Sequence, residues 1–312
     1  MSSGKLRAYL ELARPANVVT AWADICAGVA ASGLFSAFWA PWVVSNGSVG
    51  EMHESPLAVP LFWLLLATSG LYAGGVVLND VFDAELDATE RPERAIPSGR
   101  ASKVGASIFG VLLLGLGMAA AFQVNMISGW IAVGVGLLAV IYDRFGKHFT
   151  LLGPLNMGLC RSGNLMLGVS AVPAALFEVW FLAFIPLVYI GAITAISQGE
   201  VYGGSSTKGR VAVIFVLSVV SSLVLLVFSP GYNLLYAGVF ILLFAWAVIP
   251  SFLRAAQYPE ALNIRRAVKA GIMGLIPLNA ALAAGFAGWP LGIIVLLFLP
   301  ISIGLARFFA VT

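Results

Sequence analysis

Charged residues are scarce in this chain. Of its 312 residues, 10% are Asp, Glu, Lys or Arg, whereas 60% are hydrophobic and the mean hydropathy is +0.98. This composition excludes an ordinary soluble domain, in which about a quarter of the residues are charged. Apolar runs of roughly 20 residues, the length that crosses a bilayer, recur along the whole chain. The composition therefore predicts an all-α polytopic membrane protein with a single domain over residues 1–312.

Cysteine is also scarce. The chain has only Cys26 and Cys160, and both lie inside apolar segments. This placement predicts small buried side chains and argues against a disulfide framework or a thiolate metal site. The apolar run at residues 15–39 is too long for a signal peptide and carries Asp24, so we expect it to be a helix of the mature protein.

The alternation of apolar runs and polar breaks predicts a bundle of nine to ten transmembrane helices. Pro277 and Pro300 lie inside the last two runs, where proline kinks or breaks a helix. Only a few residues around Gly288 separate these two runs, which therefore form either a tight hairpin or one broken element. The predicted spans lie near residues 15–40, 57–82, 104–124, 126–142, 152–173, 179–199, 210–229, 232–252, 268–286 and 289–307.

Basic residues are absent from one side of this predicted topology. Of the 17 Lys and Arg residues, all except Arg161 fall in alternate loops or at the termini, and the long loop at residues 41–56 on the opposite side has none. The positive-inside rule then places both termini and the basic loops in the cytoplasm, with the protein in the inner (cytoplasmic) membrane. The net charge of +3 reports this orientation, so we expect no nucleic acid partner.

Acidic residues are concentrated before the middle of the chain, and no Asp follows Asp143. The densest group is an N-D-x-x-D-x-x-x-D pattern at the end of an apolar run, formed by Asn79, Asp80, Asp83 and Asp87. At 3.6 residues per turn all four fall within one arc of a helix. Clustered carboxylates repel one another unless a cation lies between them, and such oxygen ligands suit Mg²⁺ bridged to phosphate. The pattern predicts a Mg²⁺–diphosphate site at the membrane surface.

Arginines follow this cluster in the segment R-P-E-R-A-I-P-S-G-R, which ends at Arg100. A guanidinium group binds phosphate oxygens in a bidentate manner, and we predict that Arg94 does so. The alternative is that these arginines only set the membrane topology. Tyr142 and Lys147, at the end of the fourth predicted span, are further candidates for substrate binding, and a Tyr in the interfacial belt with a topogenic Lys is the alternative.

Arg161 differs from the other basic residues because it lies inside a predicted span. With Asn156 and Asn164 it forms a polar stripe, which predicts the wall of a substrate cavity. The alternative is a structural ion pair with Asp24. Asn17 shares a helix face with Asp24 and is expected to line the same cavity.

Three segments together resemble the UbiA superfamily of intramembrane prenyltransferases: R-P-x-N ending at Asn17, the block at residues 79–100, and Y-x-x-x-x-K ending at Lys147. The resemblance implies a helical bundle around a central cavity that opens near the cytoplasmic face. It also implies transfer of an isoprenoid chain from a prenyl diphosphate to a hydrophobic or small aromatic acceptor. By the same resemblance Asn79, Asp83 and Asp87 hold Mg²⁺, while Arg94 and Lys147 contact phosphate.

The chain departs from that family pattern after the sixth predicted span. Family members carry a second Asp-rich motif there, whereas this loop reads S-Q-G-E-V-Y-G-G-S and contains only Glu200. The loop and the C-terminal segment at residues 274–292 resemble an EboC-like branch. We predict that Asp83, Asp87 and Glu200 are catalytic, and that Glu200 ligates a second metal through water or binds the acceptor. The alternative function is a non-catalytic isoprenoid-lipid binder or a component of precursor export.

Overall fold

The computed structural model describes residues 3–35, 57–146, 149, 152–200 and 203–309, and in these ranges the regular structure is entirely helical. Lys147, Tyr202 and the loop at residues 41–56 lie outside the described residues. Short 3₁₀ turns at Trp180–Ala183 and Leu226–Phe228 join or extend helices. The helices are α1 Ser3–Ala13, α2 Pro15–Ala31, α3 Ala58–Phe82, α4 Ala84–Glu90, α5 Lys103–Phe122, α6 Met126–Arg144, α7 Leu152–Val169, α8 Ala175–Val179, α9 Phe184–Ser197, α10 Ser206–Leu225, α11 Leu234–Gln257, α12 Ala261–Ala287, α13 Trp289–Leu296 and α14 Phe298–Phe308.

Eight helical segments within the described residues are long and apolar enough to cross a membrane, which confirms the predicted all-α membrane fold. The predicted count of nine to ten spans is not confirmed. Two of the ten predicted spans, now α2 and α7, are not among the eight. Helix α2 has 17 residues, at the short end of the range that crosses a bilayer, and α7 includes Arg161 and two Asn side chains, which lower its hydropathy. Helix α2 is buried along almost its whole length, and the polar side chains of α7 are buried.

Proline and glycine shape the C-terminal helices in different ways. Helix α12 runs without interruption through Pro277, so this proline does not break the helix. Gly288 ends α12 in a backbone conformation with φ of 92°, which favours glycine. Pro300 lies just after the interruption at Leu297 that separates α13 from α14. A proline ring clashes with the carbonyl four residues earlier, and here that carbonyl belongs to Leu296, the last residue of α13.

Helix α2 lies at the centre of the bundle, where it packs against α3, α7, α12 and α14. Its backbone closely approaches that of α7, because glycines face each other where the two helices cross. A Cβ atom added to Gly28 would lie 2.3 Å from the carbonyl oxygen of Leu165, and one added to Gly168 would lie 2.6 Å from that of Ile25. Small residues permit such close backbone approach in membrane bundles. This approach brings the polar side chains of α2 and α7 within contact distance.

We expect Gly28→Ala to destabilise the fold by about 1–3 kcal/mol, because the backbones of α2 and α7 must separate to admit the methyl group. Thermal unfolding in detergent measures this loss. Gly115→Ala on α5 is the matched control, since a Cβ there meets nothing within 4 Å. It should be neutral or slightly stabilising, because alanine is the better helix former. Equal unfolding temperatures for the two variants would contradict the close crossing.

Candidate active site

The acidic cluster lies at the junction of α3 and α4, where the helical path continues almost without a break. The amide of Asp83 donates to the carbonyl of Asn79 at 2.9 Å, and the amide of Asp87 donates to that of Asp83 at 2.8 Å. The residues predicted to share one arc are therefore stacked on successive turns of helix. Asp80 and Asp87 are buried, 7% and 5% exposed.

Two arginines from separate segments contact this cluster. Arg14, which precedes α2, donates from Nη2 to Oδ1 of Asp80 at 2.7 Å. Arg94, in the loop after α4, donates from Nη1 to Oδ2 of Asp87 at 2.7 Å and lies 3.4 Å from Oδ1 of Asp80. Arg94 was predicted to contact phosphate, and in this structure it bridges two carboxylates. The phosphate contact stays a prediction.

Arg14 holds this position in an unusual backbone conformation. With φ of 45° and ψ of 62°, it is the one non-glycine residue with positive φ in the described ranges. Pro15 follows as the first residue of α2, where its missing amide hydrogen costs no helical hydrogen bond. The sequence pattern places Arg14 in the R-P-x-N segment and does not predict its contact with Asp80. The two residues are 66 positions apart, and no local pattern links them.

The donor set at the α3–α4 junction fits Mg²⁺. Arg14 and Arg94 contact Oδ1 of Asp80, and Arg94 contacts Oδ2 of Asp87, so these contacts use one oxygen of each carboxylate. Among the described residues, no three acidic, histidine or cysteine side chains already converge on a metal position. Mg²⁺ needs no such enclosure, because it binds through one or two carboxylates together with water and substrate phosphate.

Tyr142 and Asn156 lie next to this junction. Tyr142 is half-buried near the end of α6, and Asp83 is close enough to it to interact electrostatically. Asn156, on the first turns of α7, is 8% exposed and accepts a weak hydrogen bond from the thiol of Cys160 at 3.7 Å. Asn17 is buried on the first turn of α2. The structure thus places Tyr142 near Asp83 and Asn17 three positions after Arg14, and contact of these residues and of Asn156 with substrate stays a prediction.

Glu200 lies in the loop after α9. This loop is hydrogen-bonded to residues at the start of α12. The amide of Gly204 donates to the carbonyl of Pro259 at 2.8 Å, and Nε of Arg265 donates to the carbonyl of Glu200 at 3.2 Å. Burial raises the pKa of Glu200, and the positive charges of Arg91 and Arg265 oppose that rise. Arg91 is the residue that caps α4, because its amide donates to the carbonyl of Asp87 at 2.8 Å. The two loops therefore lie near each other at one end of the bundle.

Arg161 is buried in a polar network deeper in the bundle. Its Nε lies 2.5 Å from Oδ2 of Asp24, and its Nη2 donates to the carbonyl of Thr20 at 2.6 Å. The ring of Tyr72 lies 5.8 Å from the guanidinium carbon. The structure therefore shows the structural ion pair with Asp24 that was the alternative to a cavity wall. A role for Arg161 in substrate binding stays a prediction.

Three further side chains complete the network around Asp24. Asn164 Nδ2 donates to Oδ2 of Asp24 at 2.9 Å, and Asn279 Nδ2 donates to Oδ1 at 2.6 Å. Thr68 donates to Oδ1 of Asn164 at 2.6 Å. The sequence pattern does not single out Asn279 or Thr68 for this network. An amide in the middle of the apolar run of α12 was a usable signal for Asn279, since polar groups inside membrane helices rarely lack a role.

The fold and this site define an all-helical integral membrane protein whose acidic and arginine side chains meet at one end of the bundle. The UbiA prenyltransferase family matches residues 33–270, and the chain belongs to that family. A relative is the digeranylgeranylglyceryl phosphate synthase of Methanosarcina mazei, 32% identical over 202 residues. That match covers 64% of this chain and 65% of the relative, so it spans just under two thirds of the relative's length.

Two solved structures share the fold. A UbiA homolog from Aeropyrum pernix K1 in its apo form has a TM-score of 0.64 at 15% identity, and the alignment covers 84% of this chain and 96% of that one. A UbiA homolog from Archaeoglobus fulgidus bound to DMAPP and Mg²⁺ has a TM-score of 0.53 at 16% identity, with 96% and 99% covered. At these identities the likeness concerns the architecture alone.

Proposed function

We propose that this protein is a Mg²⁺-dependent prenyltransferase that moves an isoprenoid chain from a prenyl diphosphate to an acceptor within the membrane. The observation that carries the proposal is the stacking of Asn79, Asp83 and Asp87 on successive helical turns, with Arg94 beside them. This arrangement joins hard oxygen ligands to guanidinium donors, which is what a metal-bound diphosphate requires. Family membership and the Mg²⁺- and DMAPP-bound homolog support the same conclusion.

The residues of the site have separate tasks in this proposal. Asn79, Asp83 and Asp87 hold Mg²⁺, with Asp80 beside them, and the ion when bound supplies positive charge to the leaving diphosphate. Arg94 exchanges its carboxylate contacts for phosphate oxygens when the donor binds. Lys147, Tyr142 and Asn17 contribute to substrate binding from neighbouring segments. Because these groups act on charge that develops as the diphosphate departs, they stabilise the transition state more than the bound substrate.

The transfer itself exchanges one bond to carbon for another. The bond between C1 of the prenyl chain and the diphosphate oxygen breaks, and its electron pair leaves with the diphosphate. An oxygen of the acceptor hydroxyl forms the new bond to C1, and the hydroxyl proton passes to the released diphosphate. The apolar bundle keeps water away from the allylic carbon, so that the acceptor and not water captures it.

For the acceptor we propose the hydroxyl group of a glyceryl phosphate that already carries one prenyl chain. The support is the name of the relative at 32% identity, which describes a glyceryl phosphate with two geranylgeranyl chains. This proposal replaces the aromatic acceptor that the family resemblance implied. The EboC-like branch suggested by the loop of Glu200 and by residues 274–292 is not confirmed, because relatives of this chain are digeranylgeranylglyceryl phosphate synthases. The cytoplasmic orientation of the site and of both termini stays a prediction from the basic loops.

The experiment uses membranes that contain the full chain, labelled prenyl diphosphates of several lengths, and either a monoprenyl glyceryl phosphate or a phenolic acceptor. We expect Mg²⁺-dependent transfer of label to the glyceryl phosphate. Label that appears only in the phenolic product would overturn the acceptor assignment and keep the enzyme assignment. Absence of transfer from every donor, with Mg²⁺-dependent donor binding, would overturn the enzyme assignment.

A second candidate function is a non-catalytic isoprenoid-lipid binder. The observation that favours it is the loop after α9, which contributes Glu200 as its only carboxylate. A binder would keep the first acidic cluster to hold a prenyl phosphate and would need no second one. The third outcome of the transfer experiment, donor binding without product, is the result that this candidate predicts.

A further inference from the structure

Helix α1 has one buried face, and that face packs near the acidic cluster. Ala8 and Leu12 are buried, and they form a small hydrophobic cluster with Val77 and Val81 of α3. These two valines lie on the last turns of α3, on either side of Asp80 in the chain. Helix α1 therefore packs on the part of α3 that carries the first carboxylate of the site.

The opposite face of α1 is apolar and exposed. Leu6 and Leu10 are 54% and 41% exposed, and at four positions apart they project from the same side of the helix. Ala8 lies two positions from each of them, so its buried side chain projects from the other side. Burial of two leucine side chains is favourable, and this face therefore offers an apolar surface to a partner outside the bundle.

An aromatic contact shows what lies beside this face. The ring of Tyr9 meets that of Phe109 in an edge-to-face contact, with 5.5 Å between the ring centres. Phe109 lies on the second turn of α5, which is one of the eight segments able to cross the membrane. Val104 and Ile108, on the first two turns of α5, are exposed and belong to the surface that this helix presents to lipid. Helix α1 therefore lies at the end of α5 where the lipid-facing surface begins.

Basic side chains flank the exposed leucines. Lys5 and Arg7 are exposed on either side of Leu6 in the chain. The one acidic residue of α1, Glu11, is shared between two arginines, because it accepts from Nε of Arg7 at 3.2 Å and from Nη1 of Arg100. Positive charge is therefore in excess along α1. A helix with leucines on one side and Lys or Arg beside them is typical of segments that lie in the plane of an anionic membrane surface.

We propose that α1 is an interfacial helix that docks on the anionic lipid surface of the bilayer. Leu6 and Leu10 insert among the acyl chains. Lys5 and Arg7 contact the lipid headgroups. The inference goes beyond the transfer reaction and does not depend on it. It also connects the lipid surface to the acidic cluster, because Arg14 directly follows α1 and pairs with a carboxylate of that cluster. A helix held in the interface fixes the position from which this guanidinium reaches its partner.

The first test locates α1 relative to the bilayer with a nitroxide spin label on Leu10→Cys. The label is placed in the full chain with Cys26→Ala and Cys160→Ala, in vesicles of phosphatidylcholine and phosphatidylglycerol. Collisions with oxygen report acyl chains, and collisions with a water-soluble nickel chelate report water. Gly4→Cys is the matched control, because it lies on the same helix and a Cβ there meets nothing within 4 Å. We expect the ratio of oxygen to nickel collisions to be several-fold higher at position 10 than at position 4.

Two results of this test would overturn the proposal. Equal collision ratios at positions 4 and 10 would place the leucine face in water. Low collision rates with both reagents at position 10 would show that protein covers the leucines, either a different partner or a second copy of this chain. Neither result depends on transfer, so the test remains informative even if the transfer experiment shows that the protein is no enzyme.

A second test uses the same label at position 10 to measure the contribution of charge. Vesicles of phosphatidylcholine alone should raise the nickel collisions above their value in the mixed vesicles. Lys5→Gln combined with Arg7→Gln should produce the same rise in the mixed vesicles. Arg266→Gln combined with Lys269→Gln, at exposed positions on α12, changes the net charge equally and should leave the collisions unchanged. Insertion that is indifferent both to phosphatidylglycerol and to the loss of Lys5 and Arg7 would overturn the assignment of anionic headgroups.

Discussion

Asp83→Asn is expected to lower prenyl transfer by at least about 100-fold, which corresponds to about 2.7 kcal/mol of transition-state stabilisation. Asp83 lies between Asn79 and Asp87 on successive helical turns, so a metal held by this face depends on its carboxylate. An amide keeps the shape of the side chain but removes the negative charge that a hard cation requires. The measurement is the initial rate of label transfer at saturating donor over a range of Mg²⁺ concentrations.

The fold should tolerate this change. The hydrogen bonds that carry the helix through residue 83 are made by main-chain atoms, and asparagine makes them equally well. Glu85→Gln is the matched control, because Glu85 is an acid two positions away whose exposed side chain pairs with Lys103 at 3.3 Å. It should transfer at close to the wild-type rate. Comparable rates for Asp83→Asn and Glu85→Gln would refute the metal assignment and the proposed function with it.

Arg161→Met should destabilise the protein by roughly 3–5 kcal/mol, the usual cost of removing one partner of a buried ion pair. Asp24 is 1% exposed, and this change leaves its carboxylate with two amide donors but no positive charge. Burial of an uncompensated charge is far more costly than the loss of a surface pair. Thermal unfolding in detergent, followed by tryptophan fluorescence or circular dichroism, measures the effect.

A second substitution tests the cause of that loss. Replacement of Asp24 by Asn in the Arg161→Met background removes the stranded charge, and we expect it to restore much of the stability. Destabilisation of the double variant by the sum of the two single effects would show that the residues act independently. If Arg161→Met alone keeps wild-type stability, the guanidinium does not stabilise the fold. That result would favour a role for Arg161 in a substrate cavity.

The features that could be predicted from the sequence are those set by local periodicity. The spacing of Asn79, Asp83 and Asp87 follows from 3.6 residues per turn, and the eight apolar spans follow from their length. Helices α2 and α7 are harder to recognise as spans, because they contain polar residues that pair with each other inside the bundle. Their buried polar residues lower the hydropathy, although Asp24 of α2 and Arg161 of α7 pair with each other.

The features that could not be predicted are contacts across helices. Arg14 contacts Asp80 across 66 positions, and Asn279 contacts Asp24 across 255 positions. Such pairs depend on which helices pack against α2 and at what height, and local sequence does not determine this packing. Periodicity gives the direction in which a side chain projects from its own helix. It does not identify the helix that packs against that side chain. The sequence therefore indicated that Arg161 needed a partner and offered Asp24 only as one of two possibilities.

The backbone of Arg14 shows a local strain that the ion pair with Asp80 maintains. A left-handed conformation costs a residue with a side chain about 1 kcal/mol or more, and glycine would adopt it freely. Glycine at position 14 would relax the entry to α2, but it would also remove the guanidinium from the buried carboxylate of Asp80. Because loss of one partner of a buried ion pair costs more than the strain that is relieved, a conformational rule that favours glycine at positive φ would mislead at this position. Stabilisation of this protein for biochemical work should begin elsewhere, for example at exposed helical glycines such as Gly115.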